Sequence, residues 1–218
     1  SVYKFEEEFA KYIGTKFAAS VNSGNAALHL SLRALGINNK SSVITSTNSF
    51  IASANCILMT GAKPILCDIK PEDGNIDISS TDEKADAIIP VHIYGNPCDF
   101  DSIRRMSEES KIPIIEDACQ AHGAKYFDKK VGSLGDVGCF SFYPTKNMSV
   151  GGDGGMITTN NEEIQSEVIS LRDNGRKSHT AFDKLGFTMR LNTVNAAIGR
   201  IQLSHLDKRN IKRRKIAE

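Results

Sequence analysis

The sequence predicts an α/β domain with a mainly parallel (mixed) sheet covered by helices on both faces. Two observations carry that prediction. Short apolar strands such as 87–91 and 112–115 alternate with helical segments of ten or more residues, the pattern of a sheet buried on both sides. The helices each show one apolar face, with Leu28, Leu32 and Leu35 at i, i+4 and i+7 and with Ile164, Val168 and Leu171 aligned in the same way.

Each element follows from local pattern. Residues 3–13 read as a helix that stops at Gly14, and 17–21 as a short strand. A turn over 22–25 leads into a helix that runs to Leu35 and is closed by Gly36. Residues 42–45 form a strand, 49–60 a helix stopped by Gly61, and 64–67 a strand. After the strand 87–91, residues 99–110 form a helix with Phe100, Ile103 and Met106 on one face, followed by the strand 112–115. Residues 137–142 and 156–159 read as strands joined by a glycine-rich turn over 151–155. A helix follows over 161–172, and a last helix runs on from Thr193. Its end, 208–218, is rich in lysine and arginine. Leu206, Ile211 and Ile216 break the charge at near-helical spacing, which favours the solvated face of a helix over a phosphate-binding tail.

Composition narrows the function classes. Of 218 residues, 40% are hydrophobic and 24% charged, and the net charge of +1 gives no global field toward nucleic acid or an anionic membrane. No apolar run approaches the roughly 20 residues that span a bilayer. The first eight residues are acidic and lack the apolar core of a signal peptide. Cys56, Cys67, Cys98, Cys119 and Cys139 are scattered singly, which suits reduced thiols and a cytoplasmic location. His92 and His122 have no second ligand at i+3 or i+4, so no metal site is expected.

The informative residues lie at strand ends, where ligands gather in such sheets. Asp117 follows the apolar pair Ile114 and Ile115, and Lys146 follows it by 29 positions in Phe140-Ser-Phe-Tyr-Pro-Thr-Lys-Asn147. A carboxylate and an amine delivered in this way are what pyridoxal 5'-phosphate (PLP) requires: the amine forms a Schiff base with its aldehyde, and the carboxylate keeps its pyridine nitrogen protonated. Ser23, Gly24, Asn25 and Ala26 occupy a strand-to-helix turn, where free N–H groups form a phosphate cradle or Ser23 and Asn25 simply cap the helix. Asp117 is either the pyridinium partner or a cap for the segment after Cys119. Gln120 is placed for the ring oxygen or is a surface amide, and Phe50 stacks on the ring or belongs to the core. Ser141 alternates with Phe140 and Phe142, so its hydroxyl lies on the opposite face, available to a phosphate oxygen.

Several longer motifs occur together: Asn22-Ser-Gly-Asn-Ala-Ala-Leu-His29, Gly61-Ala-Lys-Pro64, Ile89-Pro-Val-His-Ile-Tyr-Gly95, Glu116-Asp-Ala-Cys-Gln-Ala-His-Gly-Ala124, Gly151-Gly-Asp-Gly-Gly155 and Arg190-Leu-Asn-Thr-Val-Asn-Ala-Ala197. With these, the chain resembles the sugar-nucleotide aminotransferases of the DegT/StrS type from about Phe5 to its last residue. The resemblance implies the large domain of a fold-type I PLP enzyme over 1–192, with 193–218 a helix leading toward a small C-terminal domain. It implies that Lys146 holds the cofactor, Asp117 pairs with its pyridine nitrogen, Gln120 meets its ring hydroxyl and Phe50 stacks. It assigns the phosphate to Ser141 and the Gly24-Asn25-Ala26 turn. It also implies a homodimer with shared active sites, the segment Phe187–Arg190 reaching into the partner.

This sequence departs from the family in three ways. Asn25 stands where the family has threonine, Thr188 where it often has asparagine, and family members extend further at both ends. The expected activity is transamination of a nucleotide-linked keto-sugar with glutamate or glutamine as donor, for amino-sugar biosynthesis. The rival expectation is a truncated, non-catalytic remnant that binds cofactor or a partner.

Overall fold

The computed structural model of the chain describes residues 2–178 and 180–218. In chain order the elements are α1 (Val2–Ile13), β1 (Phe17–Val21), α2 (Gly24–Ala34), β2 (Ser42–Ser46), α3 (Ala52–Met59), β3 (Lys63–Cys67), β4 (Ala87–Ile89), α4 (Phe100–Ser110) and β5 (Ile115–Asp117). They continue with β6 (Lys125–Tyr126), β7 (Lys129–Lys130), β8 (Val137–Ser141), β9 (Gly155–Thr159), α5 (Glu162–Arg172), α6 (Thr193–Ser204) and α7 (Leu206–Ala217). Side-chain caps set several helix starts. Ser23 accepts from Ala26 N, Asp99 from Ser102 N, Asn161 from Glu163 N and Ile164 N, and Asn192 from Asn195 N.

A four-stranded sheet of order β1-β9-β8-β5 meets a three-stranded sheet of order β3-β2-β4 through the parallel bridges Ile88–Ile114 and Val91–Asp117. Across the resulting surface only β9 runs against its neighbours, pairing antiparallel with both β1 and β8. The sheet is therefore mixed and mainly parallel. Alternation along the strands sends one set of side chains to each face. Val21, Val43, Ile89, Ile115, Val137 and Ile157 pack with α2, α3 and α5. On the other face Phe140 and Met156 pack with Phe5 and Phe9 of α1 and Leu203 of α6, while Ile44, Ile88 and Ile114 pack with Phe100 and Ile103 of α4. The Phe9 ring lies 5.0 Å from that of Phe140 and 5.5 Å from that of Phe142, both edge-on.

Five elements differ from the sequence expectation: α3 starts at Ala52 rather than 49, β4 ends at Ile89 rather than 91, and three more depart as follows. The strand expected over 112–115 pairs as Ile115–Asp117, because Pro113 has no N–H and the Ile114 N–H is taken by the Asp136 carboxylate at 2.8 Å. That shift carries Asp117 into the last position of β5. The expected final helix is two helices that meet at His205; in the second only Leu206 and Asn210 are buried, and Ile211 and Ile216 face solvent. The hairpin of β6 and β7 was not expected, since two residues per strand with three lysines among them carry no apolar alternation. Among the described residues, no helix is long and apolar enough to cross a membrane.

A buried polar knot joins α1, β1 and α5. Glu6 Oε1 accepts from Ser20 N and Ser20 Oγ at 2.8 Å each and from Arg172 Nη1 at 2.6 Å, and Arg172 Nη1 also donates to Ser20 O at 2.7 Å. Removing one partner strands a buried charge. The Glu6→Ala variant is expected to lose about 3 kcal/mol of stability, and thermal melting should show a fall of roughly 6–12 °C for a domain of this size.

Candidate functional site

A cleft of about 410 Å³ opens at the carboxyl ends of β5 and β8, between the start of α2 and the segment that enters α3. Gly24, Asn25, Phe50, Asp117, Gln120, Ser141 and Lys146 all line it. Ala26 does not; its N–H donates to the Ser23 hydroxyl at 3.1 Å. Residues from five separate stretches of chain thus meet where an α/β sheet places its ligands.

The start of α2 lies hard against the sheet. A Cβ on Gly24 would sit 2.7 Å from Ser141 Cβ and 2.9 Å from Cys119 Sγ, so only glycine admits this approach. Ser23 caps the helix and uses the Ala26 N–H, while the N–H groups of Gly24 and Asn25 have no protein partner among the described residues. The capping reading of this turn therefore holds for Ser23, and two N–H groups at the positive end of the helix stay without a protein partner among the described residues. Ser141, on the α2 side of the sheet and opposite Phe140 and Phe142, stands beside Gly24 with its hydroxyl within reach of the same space. Among the described residues the Asn25 amide donates only to Met59 Sδ, at 3.6 Å, and its buried Oδ1 has no partner.

Asp117 is 5% exposed, and no cation pairs with it among the described residues. Its Oδ1 accepts from Cys119 N at 3.1 Å, a local turn rather than a helix cap, because no helix follows. Its Oδ2 accepts from Ser53 Oγ at 2.7 Å. Ser53 is buried on the first turn of α3, and its hydroxyl lies 2.6 Å from that of Ser49. Sequence reasoning passed over both serines, although their i, i+4 spacing beside Phe50 placed them on one helical face.

Lys146 sits in the long connection from β8 to β9, its backbone N–H bonded to Tyr143 O at 2.9 Å, and its ammonium has no hydrogen-bond partner among the described residues. Gln120 is half-buried, with Oε1 accepting from Tyr94 N at 3.3 Å. Phe50 is 69% exposed on the cleft wall and so is no core residue. The cleft therefore offers an amine, a buried carboxylate, two N–H groups and a hydroxyl for an anion, and a flat aromatic face.

The chain matches the DegT/DnrJ/EryC1/StrS aminotransferase family over residues 1–218. It belongs to that family. A GDP-perosamine synthase of Caulobacter vibrioides is 40% identical over 212 residues, covering 94% of this chain and 57% of that protein. Among solved structures, Streptomyces venezuelae DesV in complex with a ketimine intermediate superposes with a TM-score of 0.91 at 38% identity, over 95% of this chain and 57% of that one. NtdA from Bacillus subtilis with bound cofactor PMP gives a TM-score of 0.87 at 32% identity, over 94% of this chain and 48% of that one. The chain thus spans about half to three fifths of the length of these relatives. The α/β fold with its mixed sheet is that of these aminotransferases.

Outside the cleft, the family motifs hold groups with structural partners. Phe187 packs on this chain's own core with its ring 5.1 Å from that of His29, while Thr188 Oγ1 donates to Asn174 and Arg190 pairs with Asp173 at the surface. His92 Nε2 meets Glu116 at 3.0 Å, and Glu116 also accepts from the N–H groups of Gly132, Leu134 and Gly135. No group of three metal-ligating side chains gathers among the described residues. The thiol of Cys119, at the cleft wall, is held well above its ordinary range by burial and by the Asp117 charge, which suits an inert thiol.

His122 is 2% exposed, lies against Phe140 and Phe142, and among the described residues neither ring nitrogen has a partner at full hydrogen-bond geometry; burial outweighs a backbone contact to Ser141 and pushes its pKa down to about 4. The folded chain therefore binds fewer protons than the unfolded chain between pH 6.5 and about 4, and stability falls as pH drops through that window. Urea titrations across it should show a loss on the order of 3 kcal/mol that disappears in a His122→Leu variant.

Proposed function

We propose that this chain is the PLP-binding catalytic part of an enzyme that transfers an amino group from glutamate or glutamine to a nucleotide-linked keto-sugar, in amino-sugar biosynthesis. One observation carries the reading: Lys146, Asp117 and the free N–H groups of Gly24 and Asn25 converge on one cleft. Names of relatives support the substrate class, since GDP-perosamine synthase and dTDP-3-amino-3,4,6-trideoxy-alpha-D-glucose transaminase are among them. NtdA with bound PMP supports the cofactor. Residues 1–192 form the PLP-binding large domain in this reading, and 193–218 lead toward a smaller one.

The groups present fit PLP. The Gly24 and Asn25 N–H groups and the Ser141 hydroxyl take the phosphate, which the glycine at 24 lets approach the helix start. Asp117, buried without a cation, accepts the pyridine N–H. Gln120 donates its amide to the ring hydroxyl, and Phe50 covers the ring face. Bound, PLP supplies an electron sink for the carbon that carries the reacting amino group. Lys146 first holds the cofactor. When not so engaged, its Nζ would take the proton from that carbon and later return one. Ser53 and Cys119 N keep the Asp117 carboxylate fixed throughout.

The exposed apolar side chains beside the cleft mouth support a homodimer with shared sites. Phe50, Ile51, Leu58 and Met59 are 49–69% exposed there, a surface that a second copy would cover. Scattered thiols without disulfides support a cytoplasmic location.

Mixing the chain with PLP should give a visible absorbance band, and borohydride should fix the cofactor's mass on the peptide containing Lys146. Lys146→Ala should lose the band and the label, and should slow amine transfer from glutamate to a nucleotide-linked keto-sugar by at least about a hundredfold. A colourless protein, or label on another peptide, overturns the assignment. Labelling without transfer to any keto-sugar tried would leave cofactor binding as this chain's role.

A further inference from the structure

We propose that Ser53, backed by Ser49, is a positioning residue that fixes the Asp117 carboxylate for its cationic partner; the inference rests on the reading of the cleft as a PLP site. A carboxylate only accepts hydrogen bonds, so the 2.7 Å contact to Oδ2 is donated by the Ser53 hydroxyl. That leaves a Ser53 lone pair to accept from Ser49, 2.6 Å away. The chain of donors runs one way, from Ser49 to Ser53 to Asp117. With the Cys119 N–H on Oδ1 at 3.1 Å, each carboxylate oxygen holds one protein donor and keeps a second acceptor site.

The arrangement clamps the end of β5 to the first turn of α3, so the carboxylate cannot rotate about its last bond without breaking a charge-assisted hydrogen bond in a buried setting. The thiols of Cys56, Cys119 and Cys139 feel the same carboxylate and stay neutral, because burial raises all three. Lys146 and Asp153 are the other charged residues that line the cleft, and Glu116, next to Asp117 on β5, is held on the opposite face by His92 and the 132–135 loop. Ser53 therefore governs how strongly Asp117 holds the proton it shares with the pyridine nitrogen. Without that donor the carboxylate becomes more basic and draws the proton toward itself. With PLP bound, the ring would then be less positive, and the pH midpoint of its visible band would rise.

PLP titrations of wild type, Ser53→Ala, Ser53→Thr and Ser49→Ala, read by the visible band, test this. Ser53→Ala should weaken PLP about tenfold, the lower end for a hydrogen bond to a charged group, and raise the pH midpoint of the band by about one unit. Ser53→Thr, which keeps the hydroxyl, should restore both, and Ser49→Ala should raise the midpoint by less. An unchanged midpoint in Ser53→Ala overturns the inference, as does a Ser53→Thr variant as impaired as Ser53→Ala. If Ser53→Ala does not fold, an unchanged midpoint in Ser49→Ala overturns it. A wild-type chain with no visible band defeats the PLP reading and this inference with it. A wild-type band with unaltered variants defeats this inference alone.

Discussion

The closeness of the start of α2 to the ends of β8 and β9 is the constraint on which the site depends. A Cβ on Gly24 would meet Ser141 and Cys119, and a Cβ on Gly155 would lie 2.4 Å from the Ser23 carbonyl oxygen. Backbone packed this tightly on backbone puts the free N–H groups of Gly24 and Asn25 beside the Ser141 hydroxyl. It also closes one wall of the cleft. The other contacts at the site, from Phe50 to Lys146, are arranged around that wall.

Charge follows from the same packing. Asp117 is buried among groups that donate to it but do not neutralise it, a costly state that a bound cation relieves. Helix α2 presents its positive end to the same space, which favours an anion. In the proposed reading, one ligand that carries a cationic nitrogen and an anionic group, with a flat ring between them for Phe50, meets these demands. The donor set is specific in its combination, although each member is a common residue type.

Glu116 and Asp117, adjacent on β5, show how a strand separates roles. Alternation sends Asp117 into the cleft and Glu116 to the opposite face, where it binds His92 and the N–H groups of the 132–135 loop. One carboxylate serves the site and its neighbour holds the loop that leads into β8. The buried Glu6, Ser20 and Arg172 cluster does similar structural work between α1, β1 and α5.

Sequence by itself determined the class of fold, most element boundaries and the residues at strand ends, because apolar periodicity and caps are local properties. It also carried the family, through motifs spread along the whole chain. It left open whether the turn over Ser23–Ala26 capped a helix or cradled a phosphate, whether Phe50 was core, and whether Asp117 began a helix. Tertiary structure decided the last two and fixed which residue caps the helix. Ser23 caps while two neighbouring N–H groups stay free, Phe50 is exposed at the cleft, and no helix follows Asp117. It also moved β5 onto Asp117 and revealed Ser53 and Ser49, 64 and 68 positions upstream of it. Contacts over such separations arise when strands from distant parts of the chain align in one sheet, and no local pattern encodes which side chains then meet.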